Sequence, residues 1–90
     1  MTRFTVTWHH QALDDLAAAW IDSPHRHAFA KSVSTIDASL AYDPSSKGTE
    51  FYGDRLLVVL PLAVVFTVHE EDRMVRVLAV WTSKDDPNPA

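Results

Sequence analysis

The sequence contains no cysteine and only two glycines in 90 residues. Without cysteine there is no disulfide framework, no cysteine nucleophile and no thiolate zinc site. A secreted domain of this size usually needs disulfides, so we expect a cytoplasmic protein. Two glycines are also too few for a phosphate-binding loop of the P-loop or dinucleotide-binding type. The scarcity of these two residue types therefore excludes several classes of enzyme.

Basic residues and long apolar runs are also scarce. Lys and Arg number 8 against 12 Asp and Glu, a net charge of -4 that does not suit a surface built to cover phosphates. The most apolar run, 56–68, is interrupted by Pro61 and is shorter than the ~20 residues of a membrane-spanning helix. No spacing typical of a metal or cofactor site is present, so we expect neither, and no membrane partner.

Apolar residues make up 47% of the chain, which is typical of a globular domain. We predict one domain over 1–82, followed by a mobile polar tail at 83–90. Residues 3–8 alternate like a half-buried strand, whereas 10–22 show the apolar spacing of a helix. A second helix is predicted from about Pro24 to Ala41 or Tyr42, and the short gap makes the two helices an antiparallel hairpin.

Residues 43–54 hold a proline and both glycines, and we predict a loop there. Three strands follow between 55 and 81, separated by Pro61 and by an acidic turn at 70–72. The order β-α-α-β-β-β predicts an α+β fold, with a helical hairpin on one face of a small antiparallel sheet. The opposite face of the sheet is left open.

Several large side chains fall on stripes that are predicted to face the interior. The helical stripe from Phe29 to Leu40 places Val33 and Ile36 between the second helix and the sheet. Trp8 and Trp20 also fall on inward stripes and are predicted to be core residues.

By strand alternation, Ala63, Val65, Thr67 and His69 point toward the open face. The first three are small and uncharged, and an exposed apolar face usually binds a partner. Trp81, at the end of the last strand, either packs on the hairpin or joins this surface, because Trp is frequent at interface hot spots. His69 is either a general base on this face or a surface histidine beside a turn.

Arg55 is the other candidate for chemistry. Its guanidinium either contacts a phosphate or carboxylate of a target, or holds the preceding loop through Glu50 or Asp54. The strand pattern alone does not decide between these roles.

The order of elements resembles that of the RelE/ParE superfamily of bacterial toxins from type II toxin–antitoxin modules, also called plasmid stabilisation proteins. Local patterns add to the resemblance: Ile36-Asp37 with Leu40, then Asp43-Pro44 and Gly48, then Arg55 with Pro61 six residues on, and the final hairpin from Val64 to Trp81.

The sequence departs from the ribonuclease members of that family. They carry an Arg where this chain has Ala63, and a basic residue with a Tyr or His after the last strand, where this chain continues with Thr82 and the residues 83–86 (SKDD). RNA cleavage needs a base, an acid and a cation for the transition state. The resemblance therefore implies a ParE-like toxin that acts by binding a protein, with DNA gyrase as the expected target.

Two alternatives stay open at this point. One is a ribosome-dependent mRNA endonuclease of the RelE kind, with Arg55 and His69 as its candidate catalytic residues. The other is a non-toxic α+β binding module. The resemblance further implies an antitoxin that lays a helix on the toxin and adds a strand to its sheet. Homodimerisation without that partner is also left open.

Overall fold

The computed structural model describes residues 3–23 and 26–82. Its elements are β1 (Thr5–Trp8), α1 (His10–Asp22), α2 (Arg26–Ala41), a 3-10 turn (Pro44–Ser46), β2 (Thr49–Phe51), β3 (Asp54–Val59), β4 (Leu62–His69) and β5 (Met74–Thr82). The two helices pack on a single five-stranded sheet with the strand order β1-β5-β4-β3-β2. The predicted α+β fold, with two helices against a sheet, is confirmed.

Two sequence-based expectations fall on residues that the structure does not describe. The polar tail predicted at 83–90 is one, and the first residues of α2, at 24 and 25, are the other. Within the described ranges, neither helix is long and apolar enough to cross a membrane.

The sheet is mixed rather than wholly antiparallel. Strands β3, β4 and β5 form the predicted antiparallel meander, with β4 at the centre of the sheet. The edge strand β1 pairs parallel with β5, in a register that sets Thr5 beside Met74 and Trp8 beside Val77. A parallel pair requires a long crossover, and the helical hairpin with the following meander supplies it.

The prediction of a loop throughout 43–54 is wrong for its second half. Residues 49–51 form β2, which pairs antiparallel with β3. The two residues between these strands, Tyr52 and Gly53, both have positive φ angles, as a type I′ turn requires. A three-residue strand is too short to show alternation, and Tyr is unusual in such a turn, so the hairpin has no clear signature in the sequence.

Gly48 fixes how closely this hairpin approaches β3. Its φ is +68°, and a Cβ atom at this position would lie 2.2 Å from the carbonyl oxygen of Leu56. Only glycine accepts both the left-handed backbone and the contact.

The core lies between the helices and the sheet. Its largest fully buried side chains are Phe29, Ile36, Leu40, Leu62, Val64, Phe66, Val75 and Val77. The prediction for Ile36 is therefore confirmed, whereas Val33 is only half-buried and packs at the margin of the core. The one buried polar side chain among the described residues, Ser32, donates a hydrogen bond to the carbonyl oxygen of Leu60 at 2.6 Å.

Short polar contacts fix the helices to the edge strand. His9 caps α1, since its Nδ1 accepts a hydrogen bond from the Gln11 N–H at 3.2 Å. The Trp8 Nε1 donates to the Asp37 Oδ1 at 3.1 Å, which joins β1 to α2. These contacts lie on the helical side of the sheet. Both described helices pack on this side, and no described helix or strand covers the opposite side.

Candidate functional site on the open face of the sheet

The open face is the side of the sheet that faces away from α1 and α2. Its central part is apolar across three strands, because Ala63 and Val65 of β4 have apolar neighbours in register on both sides. Ala63 lies between Val58 and Trp81, and Val65 lies between Leu56 and Ala79.

The expectation that Ala63 and Val65 are accessible to solvent is wrong. They point to the open face, as predicted, but they are only 1% and 7% exposed. Strands lie about 4.8 Å apart, so the side chains of Ala63 and Val65 contact their register neighbours on the strands to either side. The two residues form the floor of the open face and not its contact surface.

Trp81 supplies the exposed apolar group above this floor. Its side chain is 40% exposed and lies beside Ala63. Leu56 and Val58 on β3 are half-buried and flank the same floor. The structure therefore places Trp81 on the open face and not against the helical hairpin.

The end of the open face near the β4–β5 turn is polar. Thr67 lies there between the start of β3 and Arg76. The Thr67 Oγ1 is 3.2 Å from the Nε2 of His69. Arg76 lies between Thr67 and Thr7 in the sheet register, and its side chain is exposed. Within the described ranges, Arg76 makes no hydrogen bond or ion pair. It is the one uncommitted cation on the described open face.

Arg55 has a structural role on the other side of the sheet. It is paired in register with Phe66, a core residue. Its Nε donates to the carbonyl oxygen of Lys47 at 2.8 Å, and a terminal nitrogen donates to that of Gly48 at 3.1 Å. The guanidinium therefore holds the preceding loop, through its carbonyl oxygens and not through Glu50 or Asp54.

The two candidate catalytic residues are not brought together. Arg55 is turned toward the loop before β2, whereas His69 is on the open face with Thr67 as its polar neighbour. Glu70, which follows His69, accepts a hydrogen bond from the Ser45 hydroxyl. Among the described residues, no carboxylate and no cation forms a hydrogen bond or ion pair with His69, whereas a phosphate-cleaving site uses both.

Sequence reasoning missed two features of this face. The contributions of Leu56, Val58 and Ala79 depend on the pairing register, which alternation within one strand does not reveal. The neighbours of Arg76 depend on the same register, which places this residue beside Thr67 and Thr7. A β-bulge, which leaves Leu78 without a partner, shifts the register between these two halves of the face.

The described residues contain no group of three or more metal-ligating side chains.

The chain matches no protein-family model and no curated protein. Solved structures do match its fold. The toxin–antitoxin complex RelBE2 of Mycobacterium tuberculosis gives a TM-score of 0.73 at 21% identity, covering 94% of this chain and 97% of that one. The ParDE toxin–antitoxin system of P. aeruginosa gives 0.66 at 17% identity, over 91% and 98%.

A free double-arginine mutant of the E. coli RelE toxin gives a TM-score of 0.64 at 13% identity, covering 93% of this chain and 86% of the other. These matches confirm at the level of the fold the resemblance that the sequence indicates. RelE-type and ParE-type structures both match, so the fold does not distinguish the two branches.

Proposed function

We propose that this chain is the toxin component of a type II toxin–antitoxin module, that it acts in the cytoplasm by binding a protein, and that an antitoxin neutralises it. The likeness to RelBE2, ParDE and RelE supports the toxin–antitoxin assignment. The apolar centre of the open face supports action by binding, and it is the observation that carries this half of the proposal.

The argument from that face is electrostatic. Cleaving RNA develops charge on a phosphate, and preorganised cations supply the largest part of its stabilisation. Here the centre of the face is Ala63, Val65 and Trp81, with apolar neighbours on both sides. Arg76 lies near Thr67, about 13 Å along β4 from Ala63. The centre is therefore suited to bury apolar groups of a protein.

The RelE-like alternative rests on the polar end of the same face. His69, Thr67 and Arg76 lie there together, which places a base, a hydroxyl and a cation on one surface. An endonuclease would use this end, and the candidate general base would be His69.

Induced expression in a bacterial host separates the proposals. A ParE-like toxin that binds DNA gyrase arrests growth and changes the topoisomer distribution of a reporter plasmid, while primer extension on translated mRNA shows no new cuts. Cuts that disappear in His69→Ala would establish the endonuclease and overturn action by binding. Normal growth at confirmed expression would favour a non-toxic binding module.

The proposed neutralisation by an antitoxin is tested with the product of any short reading frame found next to this gene. Trp81→Glu is expected to weaken that complex tenfold or more, since a half-exposed Trp is a typical hot spot and the charge loses its water on binding. Ala38→Glu introduces the same charge on an exposed site of α2 and is the matched control. Equal affinities of both variants in calorimetric titration would exclude the open face as the antitoxin site.

A further inference from the structure

The tip of the β2–β3 hairpin carries an aromatic residue that its turn does not favour. Tyr52 occupies the first position of the type I′ turn with a φ of +48°, a backbone conformation that bulky residues rarely adopt. Asn followed by Gly is the preferred pair in such a turn, and Gly53 already supplies the second residue. The Tyr52 side chain is 93% exposed, so it adds little to the core. A residue that suits neither the turn nor the core indicates a functional position.

Tyr52 packs against its neighbour Phe51 at a right angle. The two ring centroids are 4.8 Å apart, and the ring planes meet at 83°. Phe51 is half-buried and pairs in register with Asp54 across the turn. Paired residues of two strands point to the same side of a sheet, so the Asp54 side chain lies next to that of Phe51. We name Phe51, Tyr52 and Asp54 the aromatic corner.

The negative charge of this corner is not neutralised by a described residue. Within 3–23 and 26–82, the Asp54 carboxylate makes no hydrogen bond or ion pair. Arg55, the next residue, donates instead to carbonyl oxygens of the preceding loop. Arg76 lies two strands away from Asp54 on the open face, a spacing of about 10 Å that exceeds the screening length of physiological salt. The carboxylate is therefore available to a ligand.

We propose that the aromatic corner binds an arginine side chain of a protein partner. The faces of aromatic rings attract a cation within about 6 Å, and the carboxylate beside them accepts a charge-assisted hydrogen bond from it. Arginine fits better than lysine, because its planar guanidinium stacks on a ring and still donates to a carboxylate. The chain makes such a stack within itself, where the guanidinium carbon of Arg26 is 5.6 Å from the Trp20 ring centroid. No described cation lies over Tyr52 in the same way.

The partner is the antitoxin, an assignment that rests on the proposed function. Asp54 points to the open face, since it alternates with Arg55, and it lies beside Thr67. The aromatic corner therefore continues the face whose apolar centre carries Trp81. An antitoxin segment that binds at Trp81 and runs about 13 Å along β4 reaches Thr67, and the corner lies next to it.

The first test measures the site without the antitoxin. The full chain is titrated with N-acetylarginine amide and with N-acetylcitrulline amide, an uncharged analogue of similar shape, while NMR follows the backbone amide shifts. We expect a dissociation constant on the order of 10 mM for the arginine probe, with the largest shifts at residues 51–54, and binding at least about fivefold weaker for citrulline. Equal affinities would overturn the proposal. Tighter binding of N-acetyllysine amide would overturn the choice of arginine.

Three variants then locate the binding site. Tyr52→Asn removes the ring but introduces the residue that the turn prefers, so this variant is expected to fold at least as well as the wild type. Asp54→Asn removes the charge and keeps the shape of the side chain. Each is expected to raise the dissociation constant of the arginine probe about fivefold.

Glu50→Gln is the matched control for Asp54→Asn. It removes the same charge from the same hairpin, at an exposed position that pairs with Arg55 on the other side of the sheet. It is expected to bind the arginine probe like the wild type. A loss of affinity as large as that of Asp54→Asn would mean that overall charge attracts the probe, and it would overturn the site.

The last test uses the complex with the antitoxin. In calorimetric titration with the product of the neighbouring reading frame, Tyr52→Asn and Asp54→Asn are each expected to bind about fivefold more weakly or worse, whereas Glu50→Gln binds like the wild type. Unchanged affinities would overturn the assignment of the corner to the antitoxin. Growth arrest and plasmid topology do not enter the probe titration, so failure of the site is distinguishable from failure of the proposed function.

Discussion

The centre of the open face and the groove between α1 and α2 are both apolar, but they expose their apolar groups to very different extents. On the open face, Ala63 and Val65 are almost fully buried, and Trp81 is the most exposed of the described residues of the apolar centre. In the groove between α1 and α2, Leu13 and Ile21 are 47% and 69% exposed. An apolar pattern therefore indicates where a surface lies, whereas the curvature and spacing of its elements decide how much of it a partner can contact.

The comparison between buried and exposed apolar residues is sharpest on the helices, where isoleucine occurs both in the core and on the outer surface. Ile36→Ala removes a fully buried side chain of α2 and is expected to cost about 2–5 kcal/mol of unfolding free energy. Ile21→Ala changes an exposed residue of α1 and is expected to cost less than about 0.5 kcal/mol. Chemical denaturation at a concentration where the chain is monomeric measures both. Similar losses would mean that the outer side of α1 is packed in the folded monomer.

On the open face, the same comparison is made within one strand. Val65→Glu places a charge on the covered floor and is expected to destabilise the fold by about 2 kcal/mol or more. Thr67→Glu, two residues on, places the same charge beside Arg76, which forms no ion pair with a described residue, and is expected to stay within about 1 kcal/mol of the wild type. Thermal and urea unfolding distinguish them. If Val65→Glu were harmless, the floor would be open to water and the first expectation from alternation would be restored.

The two arginines give the smallest effects. Arg55→Met loses two hydrogen bonds to the loop carbonyls and is expected to cost about 1–3 kcal/mol. Arg76→Met removes no contact within the described chain and is expected to change the unfolding free energy by less than about 0.5 kcal/mol. Hydrogen exchange of residues 47–53 adds a local readout, since only Arg55→Met is expected to speed it. Equal exchange in both variants would contradict the structural role of Arg55.

The helices were predictable because their signals are local. The period of the apolar residues predicts α1 at 10–22 and the end of α2 at Ala41 or Tyr42, and the observed helices end at Asp22 and Ala41. The inward position of Ile36 follows from the same period. Trp20 shows the limit of that reasoning, because it lies at the border of the stripe and packs only one edge against Phe29.

The sheet was predictable only in part because its pairing is not local. Alternation assigned the faces of β4 correctly, but it carries no information about which strands flank β4, so the burial of Val65 was missed. The short strand β2 and the parallel position of β1 likewise depend on partners elsewhere in the chain. The role of Arg55 was undecided for the same reason, since it depends on the neighbouring loop.

The pairing of β1 with β5 has a consequence for how the protein is made. Thr7 and Val75 share a hydrogen bond between residues 68 positions apart, whereas the helical hairpin and the meander are assembled from near neighbours. Contacts so distant in sequence form late and slow the folding of a small domain. During synthesis the first strand leaves the ribosome long before its partner exists. The sheet of a nascent chain thus stays incomplete until β5 has been made, and a chain that stops short of β5 lacks Trp81 and Arg76, together with the strand that joins β1 to β4.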